Sequence, residues 1–313
     1  MQKQSIIKDY LTLCKIRVNA LILLTAIVGM FLAIPGGTFL KTFAHSWCGF
    51  VFAILGIGLL ASSAASINHY VDAAIDAKMQ RTKKRPMVVG SITGKQTLLF
   101  AYIIGVIGFV LLYAFVNPLC AWLTFFTLIG YAVIYTCFLK HATPQNIVIG
   151  GLAGAMPPLL GWVAVRDAIA LEPILLVLII FFWTPPHFWA LAINRREDYA
   201  KAKVPMLPVT HGVGHTKTQI VVYTWLLAAA SILPYIFKTS GLVYLIPVLL
   251  LNIRFIGMAY KLKRDPQNSN DMAMFKYSIT LLMLVFVFLM LDHALTPYLQ
   301  HWCHAKVCIA LVR

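Results

Sequence analysis

What most limits how this chain can fold is where its charges are missing. Six stretches contain no Asp, Glu, Lys or Arg: between Arg17 and Lys41, Lys41 and Asp72, Lys95 and Lys140, Lys140 and Arg166, Glu172 and Arg195, and Lys217 and Lys238. Each holds at least 20 residues, about what an α-helix needs to cross the hydrocarbon of a bilayer. The third is long enough for two crossings and is broken by Asn117-Pro118. Two further apolar segments, 239–260 and 272–293, each admit one basic residue, Arg254 and Lys276, whose methylenes let the charge reach a membrane surface. The reading is nine spans in one transmembrane domain, with 1–16 as a short leading segment and 294–313 as a tail. Composition agrees. Of 313 residues 60% are hydrophobic and 12% charged, where soluble domains carry about 25% charged residues. No soluble core of this size buries so much apolar surface. The net charge of +16 then belongs to membrane-flanking loops and not to a nucleic-acid-binding face.

Basic residues also set the orientation. With the amino terminus inside, 19 Lys and Arg fall on the cytoplasmic side and five outside, Lys41, Arg166, Lys238, Lys306 and Arg313. The expected topology is therefore N-in and C-out in a bacterial-type inner membrane. The two longest loops, 77–96 and 195–216, face the cytoplasm. Cys303 and Cys308 lie outside, where a disulfide can form.

Only ten residues are acidic, so their placement is informative. Asn68, Asp72 and Asp76 follow at i, i+4 and i+8 where the second span meets the cytoplasm, a spacing that puts all three on one helix face. Asn194, Glu197 and Asp198 end the sixth span on the same side. The same offset of 126 residues separates Asn68 from Asn194 and Asp72 from Asp198, and Pro86-Met87 and Pro205-Met206 follow the two clusters. This pattern points to an internal duplication. Acids at a helix C-terminus oppose the macrodipole unless a cation compensates. Hard oxygen ligands suit Mg²⁺, which takes a few carboxylates and completes its shell with water and phosphate oxygens. Arg81, Arg85, Lys140, Arg195, Lys201 and Lys203 surround the two clusters and can clamp a diphosphate. The chemistry that fits is prenyl transfer, the displacement of diphosphate from a lipid-like substrate in a dry apolar bundle. A cation or proton transporter is the alternative from another class, weakened by the absence of an acidic relay through the bundle.

The run Asn68-x3-Asp72-x3-Asp76-x4-Arg81-Thr82-x2-Arg85-Pro86, with nine spans and a second polar cluster, resembles the UbiA superfamily of intramembrane prenyltransferases. Tyr135 to Lys140, Thr143 to Pro158, Gly161-Trp162 and Trp183 to Ala192 look like its haem-farnesylating branch. His141 departs from the Arg expected after Lys140. The resemblance covers roughly residues 10–295 and implies an all-α fold around a lipid-accessible cavity. It also implies farnesyl transfer from farnesyl diphosphate to the ring carbon 2 vinyl of haem B, with addition of water, to give haem O. That product would serve terminal oxidases directly or through haem A synthase. By motif position, Asn68, Asp72, Asp76, Asn194 and Asp198 hold Mg²⁺ and diphosphate, with Asp72, Asp76 and Asp198 central to catalysis. Arg81, Arg85 and Lys140 steady the phosphates. His187, two helical turns deeper than Asn194, and Tyr135 are candidate acceptor contacts, and Trp183 and Trp189 could flank a macrocycle. A quinone-precursor prenyltransferase would share the acidic clusters. Gly150, Gly151 and Gly154 read as close helix packing, and Asp292-His293 as a cap on the last span.

Overall fold

The structure is a computed structural model that describes the chain from Ile6 to His304, Arg81 apart. Within those residues all regular structure is helical. The bilayer demands this, since no water is available there and each crossing must satisfy its own backbone N–H and C=O groups. The crossings in chain order are α1 (Ile16–Leu32), α2 (Phe39–Val71), α3 (Gly94–Phe115), α4 (Pro118–Leu139), α5 (Asn146–Arg166), α6 (Leu171–Asn194), α7 (Gly212–Ile236), α8 (Leu242–Arg264) and α9 (Asp271–His304). Eight are long and apolar enough to cross alone. The exception, α1, reaches that length only with the helix Ile6–Leu13, from which it bends by 48° at a left-handed Lys15. Eight of the nine expected spans are found in the gaps between charges, and the first makes a ninth when the bent pair Ile6–Leu13 and Ile16–Leu32 is counted as one. The tail expected from 294 is instead helical as far as His304, because α9 simply continues. The Cys303–Cys308 pairing lies outside the described residues.

Breaks fall at residues suited to make them. Asn117 is extended, its Oδ1 accepts from the Cys120 N–H at 2.7 Å, and Pro118 takes the first helical position of α4. The Asn117 amide also donates to Val163 O at 2.9 Å, tying the start of α4 to α5. A feature not expected from sequence is that the last ten residues of α4, Gly130–Leu139, wind as a π-helix. Thr136 Oγ1 donates to the carbonyl of Tyr131, five residues back, at 2.8 Å. Wide turns of this kind cluster at functional sites.

Small residues set the closest crossings. A Cβ on Gly161 would meet Ala26 O at 1.9 Å, and one on Gly29 would meet Pro158 O at 2.0 Å, so α1 and α5 touch backbone to backbone. In lipid, where tails are as apolar as Leu, such contact supplies the packing that a hydrophobic effect cannot. Of the expected packing glycines, Gly151 does lie against Thr184 of α6, and Gly150 receives the ring of Tyr135. Gly154 faces open space. The core centres on α6, 61% of whose spanning window is buried, whereas α3 at 17% lies mostly toward lipid. Asp292 does not cap its own helix. Its two oxygens accept the N–H groups of Gly241 and Tyr244 and so cap α8.

The two acidic segments have parallel surroundings. The segment after α2 runs through short helices Ala73–Asp76 and Pro86–Val89 into α3, and the one after α6 through Arg196–Lys201 and Leu207–Thr210 into α7. The duplication inferred from the 126-residue offset is thus repeated in local structure.

Candidate active site

At the end of α2 the expected stripe forms. Asn68, Asp72 and Asp76 are all buried, at 3%, 3% and 4% exposure. The helix hydrogen bond from Asp72 N to Asn68 O, at 3.0 Å, and that from Asp76 N to Asp72 O, at 2.8 Å, keep the three in register. Three carboxylates or amides so placed need cations, and the chain supplies them from three directions. Lys140, at the end of α4, donates to Asp72 Oδ2 at 2.5 Å. Arg85, from the loop before α3, pairs with Asp76. Lys15, at the start of α1, donates to Asn68 Oδ1. Asn68 spends its amide protons on Asp72 Oδ2 at 2.9 Å and Thr136 Oγ1 at 3.2 Å. Asn146 at the start of α5 steadies the base of Lys140 through its carbonyl.

One oxygen stands outside this network. Asp72 Oδ1 is buried and has no hydrogen-bond partner. An ionised oxygen left so in a low-dielectric site is costly, and a hard cation beside it would remove that cost. The donor set, carboxylate and amide oxygens with basic groups at hand for phosphate, is the kind that Mg²⁺ takes. The residues present therefore fit the metal. Among the described residues no three His, Cys, Asp or Glu side chains converge as a preformed cage.

The second cluster is more open. Asn194 is exposed, Asp198 is partly buried, and Arg195 approaches Asp198 at 4.0 Å. Lys201 and Lys203 are exposed on the same segment. The acids of the two clusters share no partner among the described residues. Tyr135, on the π-helical end of α4, lies near both Asp72 and Tyr199, the neighbour of Asp198. Gly150 makes this placement possible, since a Cβ there would lie 2.1 Å from the Tyr135 ring. Tyr131 stacks on Tyr135 with centroids 5.6 Å apart. Arg81 lies outside the described residues.

Deeper along α6, His187 is buried at 7% exposure, where Trp183 and Phe275 stack on it. Trp183 stacks on His187 and stays half-buried, and Trp189, fully buried, packs edge-on against Tyr223. Lys15, Thr136 and Asn146 were missed. Lys15 reads from sequence as one more positive-inside charge. Thr136 and Asn146 do carry a signal, being polar groups near the ends of apolar spans.

Comparison with known proteins agrees with this arrangement. The UbiA prenyltransferase family matches residues 22–299. A protoheme IX farnesyltransferase from Idiomarina loihiensis is 56% identical over 286 residues, covering 91% of this chain and 94% of that protein. Among solved structures, digeranylgeranylglyceryl phosphate synthase superposes with a TM-score of 0.76 at 20% identity, covering 92% of this chain and 98% of that one. A UbiA homologue from Archaeoglobus fulgidus bound to GPP and Mg²⁺ gives a TM-score of 0.60 at 16% identity, covering 90% and 99%. At such identities the structures speak for the fold alone, while the family match spans most of the chain. With its nine crossings and its acids at the ends of α2 and α6, this chain belongs to the UbiA prenyltransferase family.

Proposed function

We propose that the chain transfers the farnesyl group of farnesyl diphosphate to the ring carbon 2 vinyl of haem B, with water added across the vinyl, giving haem O and diphosphate. The donor half rests on one observation: the buried row Asn68, Asp72 and Asp76, ringed by Lys15, Arg85 and Lys140 and retaining one unpartnered carboxylate oxygen. The acceptor half rests on the 56% identity to a relative named for haem farnesylation.

Asn68, Asp72 and Asp76 would hold one Mg²⁺, and Asn194 with Asp198 a second. When bound, Mg²⁺ draws off the charge that collects on diphosphate as its bond to carbon breaks. Lys140 and Arg85, which pair with Asp72 and Asp76 here, stand where they would bind the phosphate oxygens. Arg81, Arg195 and Lys201 close the clamp from the two cytoplasmic segments, and Lys15 joins them from α1. The farnesyl C1–O bond breaks, the terminal vinyl carbon bonds to C1, and water adds its oxygen to the inner vinyl carbon and gives up a proton. Apolar walls keep other water from the allylic cation before the vinyl reaches it. Tyr135 and His187 face the acceptor. The site opens to the cytoplasmic side of a bacterial inner membrane, and haem O leaves for terminal oxidases or for haem A synthase.

Purified protein given Mg²⁺, haem B and farnesyl diphosphate is expected to form haem O, read by chromatography and mass, and to leave 4-hydroxybenzoate untouched. Prenylation of the benzoate without haem O would instead assign a quinone precursor as acceptor.

A further inference from the structure

His187 sits in a hydrogen-bond chain that determines its tautomer. Ser278 Oγ lies 2.6 Å from Phe275 O, in its own helix turn. Two oxygens approach that closely only with a proton between them, so the single Ser278 hydroxyl proton points to Phe275 O. The other contact of Ser278 Oγ, to His187 Nδ1 at 2.7 Å, must then be one in which Oγ accepts. Nδ1 carries the hydrogen, and Nε2 is left with the lone pair. Nothing among the described residues donates to it. Trp183 stacks on the imidazole with centroids 4.2 Å apart and Phe275 with centroids 4.5 Å apart, and Trp183 Nε1 donates to Ser278 O at 2.7 Å. The ring is thus held in plane, in tautomer and in direction by α6 and α9 together. A neutral imidazole whose far N–H is fixed by a hydrogen bond is the arrangement that proteins use to present nitrogen to a metal.

Position decides what this nitrogen serves. His187 lies seven residues before Asn194, about 10 Å deeper along the helix axis, and side chains lean toward the helix N-terminus, deeper still. The vinyl carbons react beside the diphosphate at the cytoplasmic end. That depth separates His187 from the water that attacks the vinyl and puts it on the side toward which the body of the macrocycle would extend. We propose that His187 Nε2 ligates the iron of the haem acceptor and so sets the depth and rotation at which its vinyl group meets the prenyl donor. This rests on haem being the acceptor.

The full chain in lipid nanodiscs, loaded with ferrous haem B and no prenyl donor, tests it by resonance Raman and absorption spectroscopy. An iron–imidazole stretching band is expected in the wild type, lost in His187→Gly and restored when free imidazole is added to that variant. Ser278→Ala should shift the band without abolishing it, because Nδ1 loses its acceptor. Mg²⁺-dependent binding of a farnesyl thiodiphosphate analogue should be retained in both variants and shows that they fold. Haem bound with the same band in His187→Gly overturns the ligand assignment and leaves haem as acceptor. A wild type that binds no haem overturns the acceptor reading and the ligand with it.

Discussion

Individual residues show most plainly what sequence can and cannot reveal. Asp72, Asp76 and Asp198 stood out because a chain with ten acids places none idly, and the helical spacing put Asn68, Asp72 and Asp76 on one face before any coordinates were known. Lys15 did not stand out, although its amine reaches Asn68. A lysine before a first span has the same sequence signature whether it only orients the helix or turns inward, and the left-handed turn that directs it leaves no mark at Lys15-Ile16. The expected consequence at Asp72 is specific. Asp72→Asn keeps a side-chain oxygen but removes charge facing the metal and Lys140, and should lower turnover roughly 10²- to 10³-fold, several kcal/mol of charge stabilisation at about 1.4 kcal/mol per decade, while the protein still inserts. Lys15→Met should act mainly on the Michaelis constant for the prenyl diphosphate, measured by initial rates, since the role proposed for Lys15 is a phosphate contact and not metal ligation.

Among the helices, the spans were readable because charge is excluded from a bilayer, and each gap became a helix. The π-helical end of α4 was not, because a run such as Gly130-Tyr131-Ala132-Val133 is equally compatible with either winding and tertiary contacts decide. Glycine roles were likewise hidden, since what a glycine meets depends on the partner helix. Gly161→Ala should lower the thermal midpoint of the detergent-solubilised protein markedly, because the added methyl strikes Ala26 O on α1. Gly154→Ala meets open space and should be neutral or stabilising by up to about 1 kcal/mol from helix propensity. The loop between α8 and α9 is clasped by Asp265, whose carboxylate accepts from Ser269, Asn270 and the Gln267 N–H. These bonds, with the Ser269 hydroxyl foremost, hold the carboxyl down at about 2 from its usual 3.8. A depressed acid lends stability above its unfolded value that fades only as pH falls through the folded one, so the clasp persists from neutral pH to about 4. Asp265→Ala should speed tryptic cleavage after Arg264 at neutral pH.

For the whole molecule, the two acid-bearing segments, each running from a long helix through two short ones into the next span, underlie the proposal that one prenyl diphosphate is gripped from two sides. The positive-inside expectation puts the carboxyl terminus outside. Alkaline phosphatase fused after residue 313 should therefore be active, and a green fluorescent protein at the same point dark. The placement of Tyr135 near Asp72 and Tyr199 was the part least accessible from sequence, because it comes from a third helix whose spacing relates to neither cluster. The most direct test measures Mg²⁺-dependent binding of a non-reactive farnesyl diphosphate analogue to wild type, Asp72→Asn and Asp198→Asn by calorimetry. Loss of the magnesium-dependent component in both variants is expected. Wild-type affinity in either variant would contradict a shared metal-diphosphate site built from the ends of α2 and α6.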